Sequence, residues 1–142
     1  MSESKYVPAK LRNLVAKRAN FICEYCRSPE DFSAESFAVE HIFPRTLGGK
    51  TVGENLALSC LGCNSHKATK TKAIDSVSEI TVALFNPRIE NWNEHFSWNE
   101  NFTEIIGLTP TGRATIEALK LNRKGVKNLR RALFAVGKHP PK

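Results

Sequence analysis

Two cysteine pairs, Cys23-Glu-Tyr-Cys26 and Cys60-Leu-Gly-Cys63, account for every cysteine in the chain. Each CxxC forms a tight turn that lets two sulfurs meet one ion, so the pairs together can supply the four thiolates of a tetrahedral zinc site. A four-sulfur site leaves no open coordination position, and its zinc would hold structure rather than do chemistry. Four unligated thiols or two disulfides are the other outcomes these residues allow. Between the pairs lie Glu40-His41 and Asn55, and Asn64 follows the last cysteine directly. Carboxylate and amide oxygens suit a hard cation such as Mg²⁺, and a histidine neutral near pH 7 can take a proton from water. Beside a zinc staple, this set points to metal-assisted hydrolysis of a phosphodiester. In a strand, Glu40 and His41 face opposite ways, so they converge on one phosphate only if the strand bends or an ion sits at its edge.

The elements that must position these groups are short. Pro8 at a first turn and the spacing of Leu11, Leu14, Val15 and Arg18 predict a helix over 8–19. Residues 27–36 are polar and read as loop, whereas Phe37–Ile42 alternates as a strand. Gly48-Gly49 marks a turn, Leu56–Leu58 is a short extended run, and the second knuckle opens a helix running to about Lys72. Residues 76–85 alternate loosely, and Phe96–Phe102 reads as a hairpin about a polar centre. Thr109-Pro110 caps a helix reaching about Asn122. In the helix that follows, Val126, Leu129, Leu133 and Val136 form one face, with Lys127, Arg130 and Arg131 on the others. The aromatics Phe85, Trp92, Phe96, Trp98 and Phe102 are expected to pack against these last helices. The expected class is α+β, with residues 1–72 carrying the motifs and 73–142 an extension packed upon them.

Composition is that of a water-soluble globular chain: 142 residues, 41% hydrophobic and 25% charged. No apolar run approaches the roughly 18–20 residues that span a bilayer, so no membrane role is expected. Met1–Tyr6 has no apolar stretch of the export type, which points to the cytoplasm, where reducing conditions favour metal thiolates over disulfides. The net charge of +7 is unevenly spread. Residues 1–72 hold eleven Lys/Arg against seven Asp/Glu, 73–108 one against six, and 109–142 nine against one. Two basic ends around an acidic middle fit a polyanion such as nucleic acid.

The order Cys-x-x-Cys, Glu40-His41-Ile42-Phe43-Pro44, Gly48-Gly49, Glu54-Asn55-Leu56, Cys-x-x-Cys-Asn64-x-His66-Lys67 resembles an HNH endonuclease over about residues 21–72. The resemblance implies a ββα-metal core, here with a Cys23/Cys26/Cys60/Cys63 zinc site and the asparagine-bearing form of the third motif position. It implies His41 as general base, Asn55 as the residue that orients His41 through its loop, and Glu40 with Asn64 as ligands of a catalytic Mg²⁺ or Mn²⁺. Glu40 stands where aspartate is more frequent, and Asn64 where histidine often stands. His66 is an alternative ligand, a phosphate contact or a surface residue. Residues two apart on a helix do not share a face, which favours the last two readings. DNA is the implied partner, and the basic residues expected along it are Arg45, Lys50, Lys67, Lys70, Lys127, Arg130 and Arg131. Leu84–Arg88, Trp92, His95-Phe96-x-Trp98, Gly107–Thr115 and Leu121-Asn122-Arg123 also resemble the tail of a group of bacterial HNH proteins, without adding an activity. Arg88, Arg113 and Arg123 can bind phosphates or satisfy carboxylates such as Glu90 and Glu94. A non-catalytic zinc module that binds nucleic acid or protein is the competing reading, and monomer or dimer is left open.

Overall fold

A hairpin of two four-residue strands carries the central motif. β1 (Ala38–His41) runs antiparallel to β2 (Leu56–Ser59), with Ala38 opposite Ser59 and His41 opposite Leu56. After Cys60 the chain turns into α2 (Leu61–Lys67), completing a ββα unit. The computed structural model describes residues 7–141. Met1–Tyr6, expected to lack an export stretch, and Lys142 of the expected tail lie outside them. All eight strand residues are buried, and the period of two divides them between two cores. Val39, Leu56 and Leu58 face Val15 of α1 (Ala9–Arg18) and Val7. Arg18 fastens α1 by donating to the carbonyls of Gly53 (3.0 Å) and Leu56 (2.8 Å).

On the other face, Ala57 joins a larger core in which the cysteines meet Phe85, Trp92, Phe96, Leu119 and Val126. On this face the residues that cover the ββα unit therefore come from beyond position 73. The expected mixed α+β architecture, with one helix before the hairpin and helices after it, is the observed one.

Three boundaries differ from expectation. α2 stops at Lys67 rather than near Lys72, because Ala68 turns to φ 49° and its N–H closes on Asn64 O; Lys72–Ile74 is instead strand β3. β3 pairs with β4 (Thr81–Ala83), so only three residues of the loosely alternating 76–85 segment are strand. The hairpin expected within 96–102 is wider: β5 (Phe96–Trp98) pairs with β6 (Ile105–Gly107). Its turn is built by polar side chains, since Asn99 Oδ1 accepts from the N–H groups of Thr103 (2.8 Å) and Glu104 (3.0 Å), and Phe102 sits at φ 60°.

Side-chain bonds to the backbone tie the remaining helices down. α3 (Trp92–His95) starts with an Asn91/Glu94 capping box, and α4 (Pro110–Leu119) with Thr109 accepting from Gly112 N–H at 3.0 Å. A cap of that kind contributes about 1 kcal/mol. Thr115 accepts from Phe85 N–H at 2.9 Å, and the Asn122 amide bonds both N–H and C=O of Ile105 (2.7 and 2.9 Å). Arg113 grips the buried Asp75 with two bonds of 2.9 Å, fixing the β3–β4 hairpin to α4. Arg88 pairs with Glu24, while Glu90 accepts from Asn86 N–H and lies 2.9 Å from His95, so neither Glu90 nor Glu94 serves the arginines. Trp92 packs on Phe96 and Trp98 with ring centroids 5.1 and 5.4 Å apart.

α5 (Lys124–Ala135) buries Val126, Arg130 and Leu133. Positions i, i+4 and i+7 share a helical face, so Arg130 points inward with the two aliphatic residues, which corrects its expected place on the DNA-facing side. Its guanidinium donates to the carbonyls of Thr103 (2.9 Å), Leu121 (2.7 Å) and Cys26 (3.3 Å) and to Asn122 Oδ1 (3.1 Å). Burial lowers its pKa to about 10.

Candidate active site

The knuckles converge first. The sulfurs of Cys23, Cys26, Cys60 and Cys63 lie within 4.8 Å of one another, all buried, with Cys26 and Cys60 Sγ 3.6 Å apart. A tetrahedral zinc with Zn–S of about 2.3 Å sets its sulfurs about 3.8 Å apart, so the cluster fits that ion. Burial pushes the Cys23 thiol up, whereas its bond to Cys26 holds the latter down. Four thiols this close share protons unevenly, and a divalent ion that keeps all four ionised removes the conflict. Arg123 lies against the cluster, Nη2 3.3 Å from Cys60 Sγ and Nη1 3.6 Å from Cys63 Sγ. Burial opposes its charge, but the sulfurs of Cys63, Cys26 and Cys60 outweigh burial and raise its pKa.

The His41 ring lies at the end of β1, 1% exposed, with Nε2 2.8 Å from the Thr51 hydroxyl. Beyond it the chain leaves the strand and returns through a loop closed at its neck by Asn55. Phe43 N–H donates to Asn55 Oδ1 (2.9 Å), Asn55 Nδ2 donates to the carbonyls of Phe43 (3.0 Å) and Lys50 (2.9 Å), and Ile42 N–H donates to Asn55 O (2.8 Å). Gly49 closes the inner turn, since a Cβ there would collide with the Phe43 carbonyl.

Glu40 points to the opposite face, as alternation requires. Its Oε1 accepts from the Tyr25 hydroxyl and its Oε2 lies 3.3 Å from Lys67 Nζ, which also donates to Ile42 O at 3.0 Å. Burial, then the Glu40 carboxylate, push the Tyr25 phenol well above its usual range, so it remains a donor. Lys67 is 1% exposed, which corrects its expected place on a DNA-facing surface: its ammonium belongs to the Glu40 cluster. Asn64 and His66 are half-buried on α2, and the His66 carbonyl accepts from Lys70 Nζ at 2.7 Å. Arg45, Lys50, Lys70 and Arg131 are exposed, and Lys127 is half-buried, 3.7 Å from Glu104.

Sequence reasoning missed Tyr25, Thr51 and the placement of Lys67. Tyr25 sits inside a CxxC and had no signal of its own, but Lys67 stands on α2 three residues after Asn64 and so faces the same strand. The oxygen donors at Glu40 and Asn64 have the chemistry a hard divalent ion takes. A carboxylate offers about four lone-pair sites, and Tyr25 and Lys67 lie against those of Glu40. The charge of Glu40 is nonetheless already balanced by Lys67, so an ion there would draw the rest of its anionic coordination from a substrate phosphate.

A strand hairpin and helix with this polar centre, stapled by a zinc-fitting cysteine cluster, define a class of small metal-binding ββα domains. Residues 23–70 match the family model of the HNH endonuclease. No curated protein matches the chain, and no solved structure does. Among the described residues, no helix is long and apolar enough to cross a membrane.

Proposed function

We propose that this protein is a divalent-metal-dependent endonuclease that hydrolyses phosphodiester bonds in DNA. The observation that carries the reading is the fixed His41 imidazole, set by Thr51 and by a loop that Asn55 clasps. His41 takes a proton from the attacking water. Asn55 holds the loop and so acts on His41 indirectly. Lys67 and Tyr25 fix the Glu40 carboxylate, which with Asn64 would hold Mg²⁺ or Mn²⁺. When bound, such an ion offsets the phosphate charge and stabilises the charge that develops on the leaving oxygen. Arg45, Lys50 and Lys70 near the loop, and Lys127 and Arg131 on α5, would bear the DNA backbone without reading sequence. The zinc at the four cysteines is structural in this reading.

A non-catalytic module remains the second reading, favoured by one observation: Glu40 is already bonded to Tyr25 and Lys67. Nicking of supercoiled plasmid separates the two. The parent protein is expected to nick with Mg²⁺ and not with excess EDTA. His41→Ala is expected to retain zinc and DNA binding but to cleave roughly a hundredfold more slowly or worse, the scale for losing a general base. Glu40→Ala and Asn64→Ala should raise the Mg²⁺ requirement, and Asn55→Ala should slow cleavage by loosening the loop. His66→Ala tests the third ligand position: loss of metal dependence there, and not in Asn64→Ala, would give that role to His66. If all five variants cleave like the parent, the nuclease reading fails and the binding module takes its place.

A further inference from the structure

A divalent ion held by four thiolates carries a net charge of −2. This cluster is sealed from water: Cys23, Cys26 and Cys63 are 0% exposed and Cys60 is 9% exposed. Buried net charge is costly unless a partner meets it. Arg27 and Arg130 also feel the charge of the thiolates, but among the described residues the cation within reach of the sulfurs comes from the far end of the sequence. Arg123 follows the turn after α4 and immediately precedes α5. Its guanidinium lies 3.3 Å from Cys60 Sγ and 3.6 Å from Cys63 Sγ, while Nη1 also donates to Lys120 O at 3.0 Å. The fork is thus aimed at both sulfurs of the second knuckle by the turn that carries it. The knuckle makes room for it: a Cβ at Gly62, between those two cysteines, would sit 2.5 Å from Arg123 Nη2.

We propose that Arg123 is a positioning residue of the metal centre, which offsets the thiolate charge and makes zinc retention depend on the docking of the C-terminal helices. Coupling runs both ways. Loss of the arginine leaves the thiolates with excess buried negative charge, so the ion is surrendered faster. Loss of the ion removes the anionic partner of Arg123, so the start of α5 loosens. This inference requires a divalent ion at the four cysteines and is independent of nuclease activity.

The test uses full-length, zinc-loaded protein and follows transfer of zinc to an excess of a chromophoric chelator. Outer partners of metal ligands typically change affinity 10–100-fold, so Arg123→Gln is expected to release zinc roughly tenfold faster than the parent. Arg123→Lys, which keeps the charge but not the fork, should fall between them, and Arg131→Gln should match the parent. Gly62→Ala supplies the second arm. Alanine favours a helix more than glycine does, and the atom its Cβ meets is the end of a long side chain, so this change displaces Arg123 without unfolding α2. It too should speed release. Amide exchange of residues 124–127 should rise in Arg123→Gln while zinc stays stoichiometric, and rise at least as much in the zinc-stripped parent. Release within about twofold of the parent in Gly62→Ala, or in a folded Arg123→Gln, overturns the proposal. So does a reduced, folded parent that contains no zinc. If Arg123→Gln fails to fold, Gly62→Ala alone decides.

Discussion

The ββα unit and the C-terminal half bury polar groups in opposite ways. In the first, ionisable groups face one another: Glu40 meets Tyr25 and Lys67, and four thiols meet at one point. In the second, alongside the Asp75–Arg113 pair, polar side chains are bonded to the backbone, as with Thr115 on Phe85, Asn122 on Ile105, and Arg130 on three carbonyls. The first arrangement concentrates reactivity and adds little apolar mass. The second adds no chemistry but welds turns to helices and supplies Phe85, Trp92, Phe96 and Leu119 to the shared core. The ββα unit therefore has a cysteine cluster fit for a metal staple on one side and the extension as a brace on the other.

Removing the staple is the hardest blow to that comparison. Structural zinc contributes an apparent ~10–16 kcal/mol in small domains, as much as the whole stability of most folds. Cys60→Ser, or stripping with a strong chelator, is expected to unfold residues 21–72. Because the cysteines share a core with the tryptophans, Trp fluorescence should change in the same transition. Native tryptophan signals surviving zinc loss would show that the C-terminal half stands alone.

Next in size is Arg130→Met, which leaves three carbonyls without this donor, takes one of two donors from the Asn122 amide oxygen, and should cost about 3 kcal/mol in urea unfolding. Arg131→Met, one residue on and exposed, should stay within about 0.5 kcal/mol. Equal effects would return Arg130 to the surface.

Charge reversal of Lys127 and Arg131 tests whether the brace also docks DNA. Binding should weaken roughly tenfold or more at low salt, and the slope of log affinity against log salt should shrink by about 2. An unchanged slope would move the docking surface elsewhere, to Arg45, Lys50 and Lys70 around the loop.

The smallest effect is acid sensitivity at Asp75. The bond from Arg113, then that from Ser78, hold its carboxyl well below the usual value. A depressed pKa in the folded state gives stability that is full above the unfolded value, near 3.9, and lost as pH falls below it. Asp75→Asn should lower the melting temperature at neutral pH but flatten its decline between about pH 4 and pH 2. A parallel decline in both proteins would mean that the Arg113 fork does not hold the β3–β4 hairpin.

Where residue type alone dictates chemistry, the sequence was readable. The CxxC pairs announced the cysteine cluster, and the order of Glu40, His41, Asn55 and Asn64 announced the HNH domain, because turns of fixed length translate directly into proximity. Alternation over 37–42 announced β1, and Thr109-Pro110 announced α4. What stayed hidden depends on contacts distant in sequence. Lys67 and Arg130 look like surface cations until the strand beneath α2 and the carbonyls beneath α5 are in place. Arg123 meets sulfurs 60 and 63 residues away, which no local pattern encodes. The 99–104 turn was misread because Asn99 replaces backbone partners with its own side chain.

The clasp at Asn55 has a consequence for how this domain can be altered. Four hydrogen bonds join its two strands of chain at Ile42, Phe43 and Lys50, so the mouth of the loop is fixed independently of its contour. Loop length costs little once the ends are held, since closure entropy grows only logarithmically. The exposed turn at Arg45–Leu47 lies outside the neck and is thus a graft point. A short glycine–serine insert after Thr46 is expected to leave the His41 ring resonances where they are. A longer foreign segment there could then be carried beside His41 without moving it.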